Sequence, residues 1–184
     1  MKRIGYFFSL LVILSLACST LSTPSAITPL PPASSTSVLQ NGNSPTLSNS
    51  ALVDVYDPSR NPANDLAQAL PIAQTENKRI LLELGGDWCI WCKYMDEFYA
   101  SHPDILQYRA DHFILIKVNV SEDNMNEGFL SQYPAVAGYP HIFILENTGK
   151  LLHSQNTADL EDGDKSYVPA VFMEFLEKWA LPSQ

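Results

Sequence analysis

Hydrophobic positions fall into three regimes along the chain. The first, Ile4 to Leu16 (IGYFFSLLVILSL), is an almost unbroken apolar run behind Lys2 and Arg3. It is shorter than the roughly 20 residues that cross a bilayer. A positive start, an apolar run and the small residue Ala17 together read as an export signal over residues 1–17. The second regime, residues 18–50, is rich in Ser, Thr, Pro and Asn and shows neither helical period nor strand alternation. Such a segment cannot bury enough apolar area to offset its ordering entropy, so a disordered tether is expected.

The third regime, residues 51–184, carries periodic patterns and reads as one folded domain. Leu66, Ala69, Leu70, Ile72 and Ala73 predict an amphipathic helix over 64–77, bent at Pro71. RILLELGG is a short apolar run closed by glycines, a buried strand. Helical spacing returns from Trp91 to Ala100, is broken by HPD at 102–104 and resumes over 105–110. HFILIKVNV is a second buried strand, and 123–132 a short helix. YPHIFILE and KLLHSQ predict two strands joined by an NTGK turn. Ser166 is placed to cap a last helix through Trp179, with Pro169 in its first turn. Parallel strands need helical crossovers, whereas the final hairpin is antiparallel. The order therefore predicts an α/β fold, a mixed central β-sheet covered by helices on both faces.

Charge narrows the partners. The formal net charge is −9; loss of Lys2 and Arg3 with the signal leaves 9 basic against 20 acidic residues. No basic run occurs elsewhere, so there is no means of neutralising phosphates and nucleic acid is excluded as a partner. A monomer is expected. At the signal's end, LSLACS resembles the lipobox of bacterial lipoproteins, with Ser15 where Leu is usual. The resemblance implies cleavage before Cys18 and lipidation of that cysteine, which would anchor the protein to a membrane of the cell envelope. A plain secretory signal cut near Ala17 and an uncleaved anchor are the alternatives. All three put the domain outside the cytoplasm, where disulfides persist.

The chemistry centres on LLELGGDWCIWCKYM, where Cys89 and Cys92 are two residues apart. Structural zinc takes four ligands, usually from two such pairs, and here the four histidines are scattered singly. A purely structural bridge across so small a loop constrains the unfolded chain little. A redox pair has a mechanism. Following a strand and opening a helix, Cys89 meets unpaired backbone N–H groups that favour its thiolate. Cys92 lies one turn on and can close a disulfide. Cys89 is then expected to be the exposed attacker and Cys92 the shielded resolver.

ILLELGGDWCIWCK resembles the active-site segment of the thioredoxin family, in which a strand leads into W-C-x-x-C-K. The resemblance covers about residues 64–180 and implies a thioredoxin fold and thiol–disulfide exchange with no cofactor. Glu83 stands where the family keeps a buried acid that relays protons to the resolving cysteine, and Lys117 in KVNV where a lysine lies near that acid. GYP at 138–140 matches the loop whose cis-proline, Pro140, faces the cysteines. GGDWCIWCK and GYPHIFIL also resemble a bacterial exported thioredoxin-like group. Protein disulfides and an upstream thiol–disulfide electron donor are the implied partners. Trp88 is expected to pack beside the site, and Trp91, with Ile90, Tyr139 and Pro140, to line the substrate surface.

The chain departs from the family at three points: Ile90-Trp91 between the cysteines, Glu rather than Asp at 83, and bulky Tyr139 before the proline. Ile90-Trp91 brings no cation to the thiolate and Asp87 opposes it. A potential of roughly −270 to −180 mV is expected, which favours the reductase or isomerase direction. Two other functions stay open. Cys89, Cys92 and His141 offer copper two soft thiolates and an imidazole, although a histidine opening a buried strand is the simpler reading. The third is a non-catalytic interaction module on the same fold. His102 and His112 read as helix-end or surface residues and His153 as a strand residue.

Overall fold

The computed structural model describes residues 51–182, and the expected signal, tether and Cys18 lie outside the described residues. Five strands form one sheet in the order β1-β3-β2-β4-β5. These are β1 (Ala51–Val53), β2 (Arg79–Gly85), β3 (Phe113–Asn119), β4 (His141–Leu145) and β5 (Leu151–Asn156). β1, β2 and β3 run parallel, while β4 is antiparallel to β2 and β5 to β4. The helices are α1 (Pro62–Thr75), α2 (Ile90–Ser101), α3 (Pro103–His112), α4 (Glu127–Leu130) and α5 (Pro169–Trp179).

Side chains alternate faces along a strand, and this alternation splits the core into two layers. Ile80, Leu82 and Leu84 of β2, Ile114, Ile116 and Val118 of β3, and Phe143 and Leu145 of β4 pack with Ala69 and Ala73 of α1. Leu81, Phe113, Leu115, Ile142 and Ile144 face the other way, onto Met95, Phe98 and Tyr99 of α2, Ile105 of α3, and Phe172, Phe175 and Leu176 of α5. The central strands have no wet side, which is why they read as unbroken apolar runs.

Helix ends follow local chemistry. The Asn61 side chain accepts from the backbone N–H groups of Ala63 and Asn64, and Pro62 opens α1. At the other end Asn77 takes a left-handed φ of 53°, and the Lys78 N–H bonds back to the Ala73 carbonyl. The hairpin turn between β4 and β5 needs Gly149, at φ 89°.

α1 runs as one helix through Pro71. Two expectations need correction. Ser166 caps nothing: α5 starts at Pro169 with Val168 ahead of it and no side-chain cap, and the Ser166 N–H is held by the Asp162 carboxylate. α4 is only four residues long, because Ser121 and Asn124 form a bridge and Asn126 is left-handed at φ 50°. β1 was not anticipated; three residues at a sheet edge are too few for a period.

Leu82, fully buried on a strand paired on both sides, gives a stability test. Leu82→Ala should lower the unfolding free energy by about 3 kcal/mol through lost transfer energy and a residual cavity, read as a shift in the urea midpoint.

Candidate active site

The site is built where β2 ends. Gly85 and Gly86 let the chain leave the sheet, and Cys89 becomes the N-cap of α2, its Sγ accepting the Cys92 backbone N–H at 3.1 Å. The Cys89 sulfur therefore sits on the unsatisfied N–H groups of a helix start. Cys89 and Cys92 are joined as a disulfide with Cα atoms 5.3 Å apart. Cys89 is not exposed as expected: the two residues are 3% and 1% exposed. In the disulfide both sulfurs turn in toward Tyr56, with Trp91 and Tyr139 packed around them.

Below the sulfurs lies a polar cluster within the core. Glu83 is fully buried on β2 and faces Lys117 across the parallel register of β2 and β3. Lys117 Nζ lies 3.7 Å from Glu83 Oε1 but makes its hydrogen bond to Asp96 of α2. The Tyr56 hydroxyl donates to Glu83 Oε1 at 2.6 Å, and Lys117 Nζ stands over the Tyr56 ring. Burial first, and the Glu83 charge second, push the Tyr56 phenol well above its ordinary range, so it stays protonated. Tyr56 and Asp96 were missed from sequence. Asp96 was findable, because it follows Cys92 by four residues on a helix. Tyr56 belongs to an irregular segment and carried no signal.

The rim is aromatic and apolar. The Tyr139–Pro140 peptide bond is cis, as the resemblance implied, and the Thr157 hydroxyl donates to the Pro140 carbonyl. The Trp88 indole N–H donates to the Val120 carbonyl at 2.7 Å, and its ring meets the Tyr139 ring edge-on. Trp88 lies beside the site as expected, whereas Trp91 is turned inward rather than out to the surface. Trp88 is 59% exposed and walls a groove of about 610 Å³ with Tyr139, Val120, Met125, Glu122 and Asp123. Trp91 is half-buried with its ring against Tyr94 and Tyr167, because its position on α2 shares the inward face with Met95 and Phe98. Ile90 is exposed beside the disulfide.

His141 does not join the cysteines. In the antiparallel register Glu83 pairs with Ile142 and Leu84 with His141, so His141 projects from the face opposite Glu83. Cys92 is on the Glu83 face, since a β-carbon added to Gly85 would collide with Cys92 Sγ. The His141 Nε2 instead bonds Ser154 Oγ at 2.8 Å. Among the described residues no three His, Cys, Asp or Glu side chains gather into a metal-binding group. His102 ends α2, His112 stacks on Tyr108 at the end of α3, and His153 lies on β5 against Trp179.

Residues 61–147 match a family model described as thioredoxin-like. The thiol:disulfide interchange protein DsbD of Salmonella typhi is 31% identical over 87 residues, 47% of this chain and 15% of that protein. DsbD of Citrobacter koseri is 33% identical over 84 residues, 46% of this chain and 14% of that protein. The chain thus covers a small part of these curated relatives. Among solved structures, a disulphide isomerase from Xylella fastidiosa superposes with a TM-score of 0.57 at 22% identity, covering 67% of this chain and 94% of that one. That likeness is one of fold.

Burial, with a smaller contribution from His153, lowers the His141 pKa from 6.5 to about 4. The folded state keeps this imidazole neutral while the unfolded chain takes up a proton, so its contribution is present above pH 6.5 and is lost as pH falls toward 4. His141→Gln should flatten the fall in stability across that window in urea unfolding. An unchanged pH dependence would show that other groups carry it.

Proposed function

We propose that the protein is a thiol–disulfide oxidoreductase acting on protein disulfides outside the cytoplasm, in the reducing or isomerising direction; the match of residues 61–147 to a thioredoxin-like family model supports this. The observation that carries this reading is a Cys89–Cys92 disulfide at a helix N-terminus above a buried carboxylate, Glu83. In the reduced protein the Cys89 thiolate attacks a substrate disulfide; a mixed disulfide forms and one substrate thiolate leaves. Cys92 then loses its proton and attacks Cys89 Sγ, which closes the internal disulfide and releases the second substrate thiolate. Two electrons pass to the substrate, and an upstream thiol–disulfide donor returns them. The dithiol carries these electrons itself, so no cofactor is required.

The roles of the surrounding residues belong to the same proposal. Glu83 takes up the Cys92 proton, and Lys117, beside it, tempers the charge. The groove walled by Trp88 and Tyr139, with Ile90 and cis-Pro140 at its edge, receives the substrate segment around its cysteine. Trp91 supports α2 from below rather than touching substrate. The copper reading loses its imidazole, since His141 lies on the other face of the sheet. The non-catalytic module is the remaining alternative, and turnover decides between the two.

We also propose that residues 1–17 are an export signal, that Cys18 is lipidated, and that 18–50 tether a monomeric domain to a membrane of the cell envelope. The sequence pattern supports this reading.

Cys89→Ser should abolish reduction of insulin by dithiothreitol-primed protein while leaving the thermal melt in place, because the thiolate is the nucleophile. Turnover equal to wild type would sink the enzymatic reading. For the anchor, full-length protein should stay with membranes through a high-salt wash, and Cys18→Ser should release it or block processing, since several acyl chains hold stably where one does not. Equal retention of both forms would point to an uncleaved anchor.

A further inference from the structure

The resolving step has a chemical difficulty. Cys92 is 1% exposed, so its thiol has no ready access to bulk water. An ordinary cysteine has a pKa of about 8.5, and burial raises it. Something within the protein must take the proton before Cys92 can attack.

We propose that the Tyr56 hydroxyl hands this proton from Cys92 to Glu83; the proposal rests on the redox reading above. Tyr56, Cys89 and Cys92 pack as one buried cluster. The hydroxyl is bonded to Glu83 Oε1 at 2.6 Å. It also faces the Cys92 sulfur across the bare side of Gly85: a β-carbon there would lie 2.9 Å from the Tyr56 hydroxyl and would collide with Cys92 Sγ. Any residue but glycine at 85 would therefore separate the two groups. The other Glu83 oxygen, Oε2, is buried with no hydrogen-bond partner, which leaves the carboxylate an unused site for a proton. Lys117 donates to Asp96, and its ammonium has no lone pair with which to accept the proton.

The transfer is concerted and balanced. Tyr56 gives its proton to Glu83 as it receives the Cys92 proton, and the phenol is neutral before and after. Glu83 becomes a neutral acid. The Cys92 thiolate attacks Cys89 Sγ, the bond from Cys89 to the substrate sulfur breaks with its electron pair on the substrate, and the Glu83 proton is finally given up to the substrate thiolate or to solvent. A phenol pushed high by burial suits this role, since it passes a proton without standing as a phenolate. Tyr56 from the segment before α1 and Lys117 from β3 contact Glu83, Asp96 of α2 holds Lys117, and Tyr99 of α2 and Tyr167 before α5 lie within reach of the Glu83 charge.

Full-length chain carrying Cys18→Ser, so that Cys89 and Cys92 are the only thiols, can be reduced and mixed with 5,5′-dithiobis(2-nitrobenzoate). The first thionitrobenzoate released reports attack by Cys89 and the second reports resolution by Cys92. Tyr56→Phe should leave the first phase intact and slow the second about tenfold or more below neutral pH, a part of the usual gain from a placed proton acceptor. The deficit should shrink as pH rises past the thiol pKa and hydroxide takes over. Glu83→Gln should slow the same phase. If Glu83→Gln slows it and Tyr56→Phe does not, the relay is wrong and the redox reading stands; if neither slows it, Glu83 is not the acceptor and the relay fails, whereas no second release from the Cys18→Ser protein itself would overturn the redox reading. Equal slowing of both phases by Tyr56→Phe would show a merely structural role and overturn the relay. Independently of any variant, the second phase of the Cys18→Ser protein in mixtures of light and heavy water should give a curved dependence on deuterium content, because two protons move together. A straight line would overturn the relay.

Discussion

Glu83 is a carboxylate on the central strand of a sheet covered on both sides, and a charge taken out of water must be given partners by the protein. Much of the architecture around the cysteines answers that demand. β3 brings Lys117 into register beside it, α2 brings Asp96 to hold the lysine, and the segment ahead of α1 folds in to place Tyr56 against its oxygen. Removing any one of them leaves the others less compensated, so the cluster pins three parts of the chain together.

The alternation of side chains along the strands sorts the chemistry as well as the core. On β2 and β3 the positions that face α2 carry Glu83, Gly85 and Lys117, and the opposite positions carry only aliphatic side chains through Val118. One step along β4 decides which side a residue joins. Ile142 falls on the cysteine side and His141 on the other, so proximity in sequence to cis-Pro140 brings the histidine no closer to sulfur. That parity could have been read from YPHIFIL once its pairing with RILLELG was assumed.

The fold was legible because its two parallel central strands are buried on both faces and so stand out as RILLELGG and FILIKVNV. The cysteines, Glu83, Lys117 and Pro140 were legible from the order of motifs around them. Helix rotation was available but unused: Trp91, Met95 and Phe98 share a face at helical spacing, which puts Trp91 inward and leaves Trp88, ahead of the helix, for the rim. Tyr56 was not legible by any local rule. It meets Glu83 from 27 residues away through a segment with no regular structure, and only the assembled fold brings it there. The edge strand β1 was hidden for the same reason, since its pairing with β3 is its whole definition.

The three tryptophans sit in three different settings: Trp88 on the groove wall, Trp91 packed beside the disulfide, and Trp179 stacked on His153. An excited indole next to a disulfide loses its energy by electron transfer, and one stacked on an imidazole responds to that ring's protonation. The molecule thus contains its own optical gauges. Emission from Trp91 should follow the oxidation state, that from Trp88 any molecule seated against the groove wall, and that from Trp179 the seating of α5 on the sheet. Single-tryptophan forms would let one spectrum be assigned to each event without an added dye.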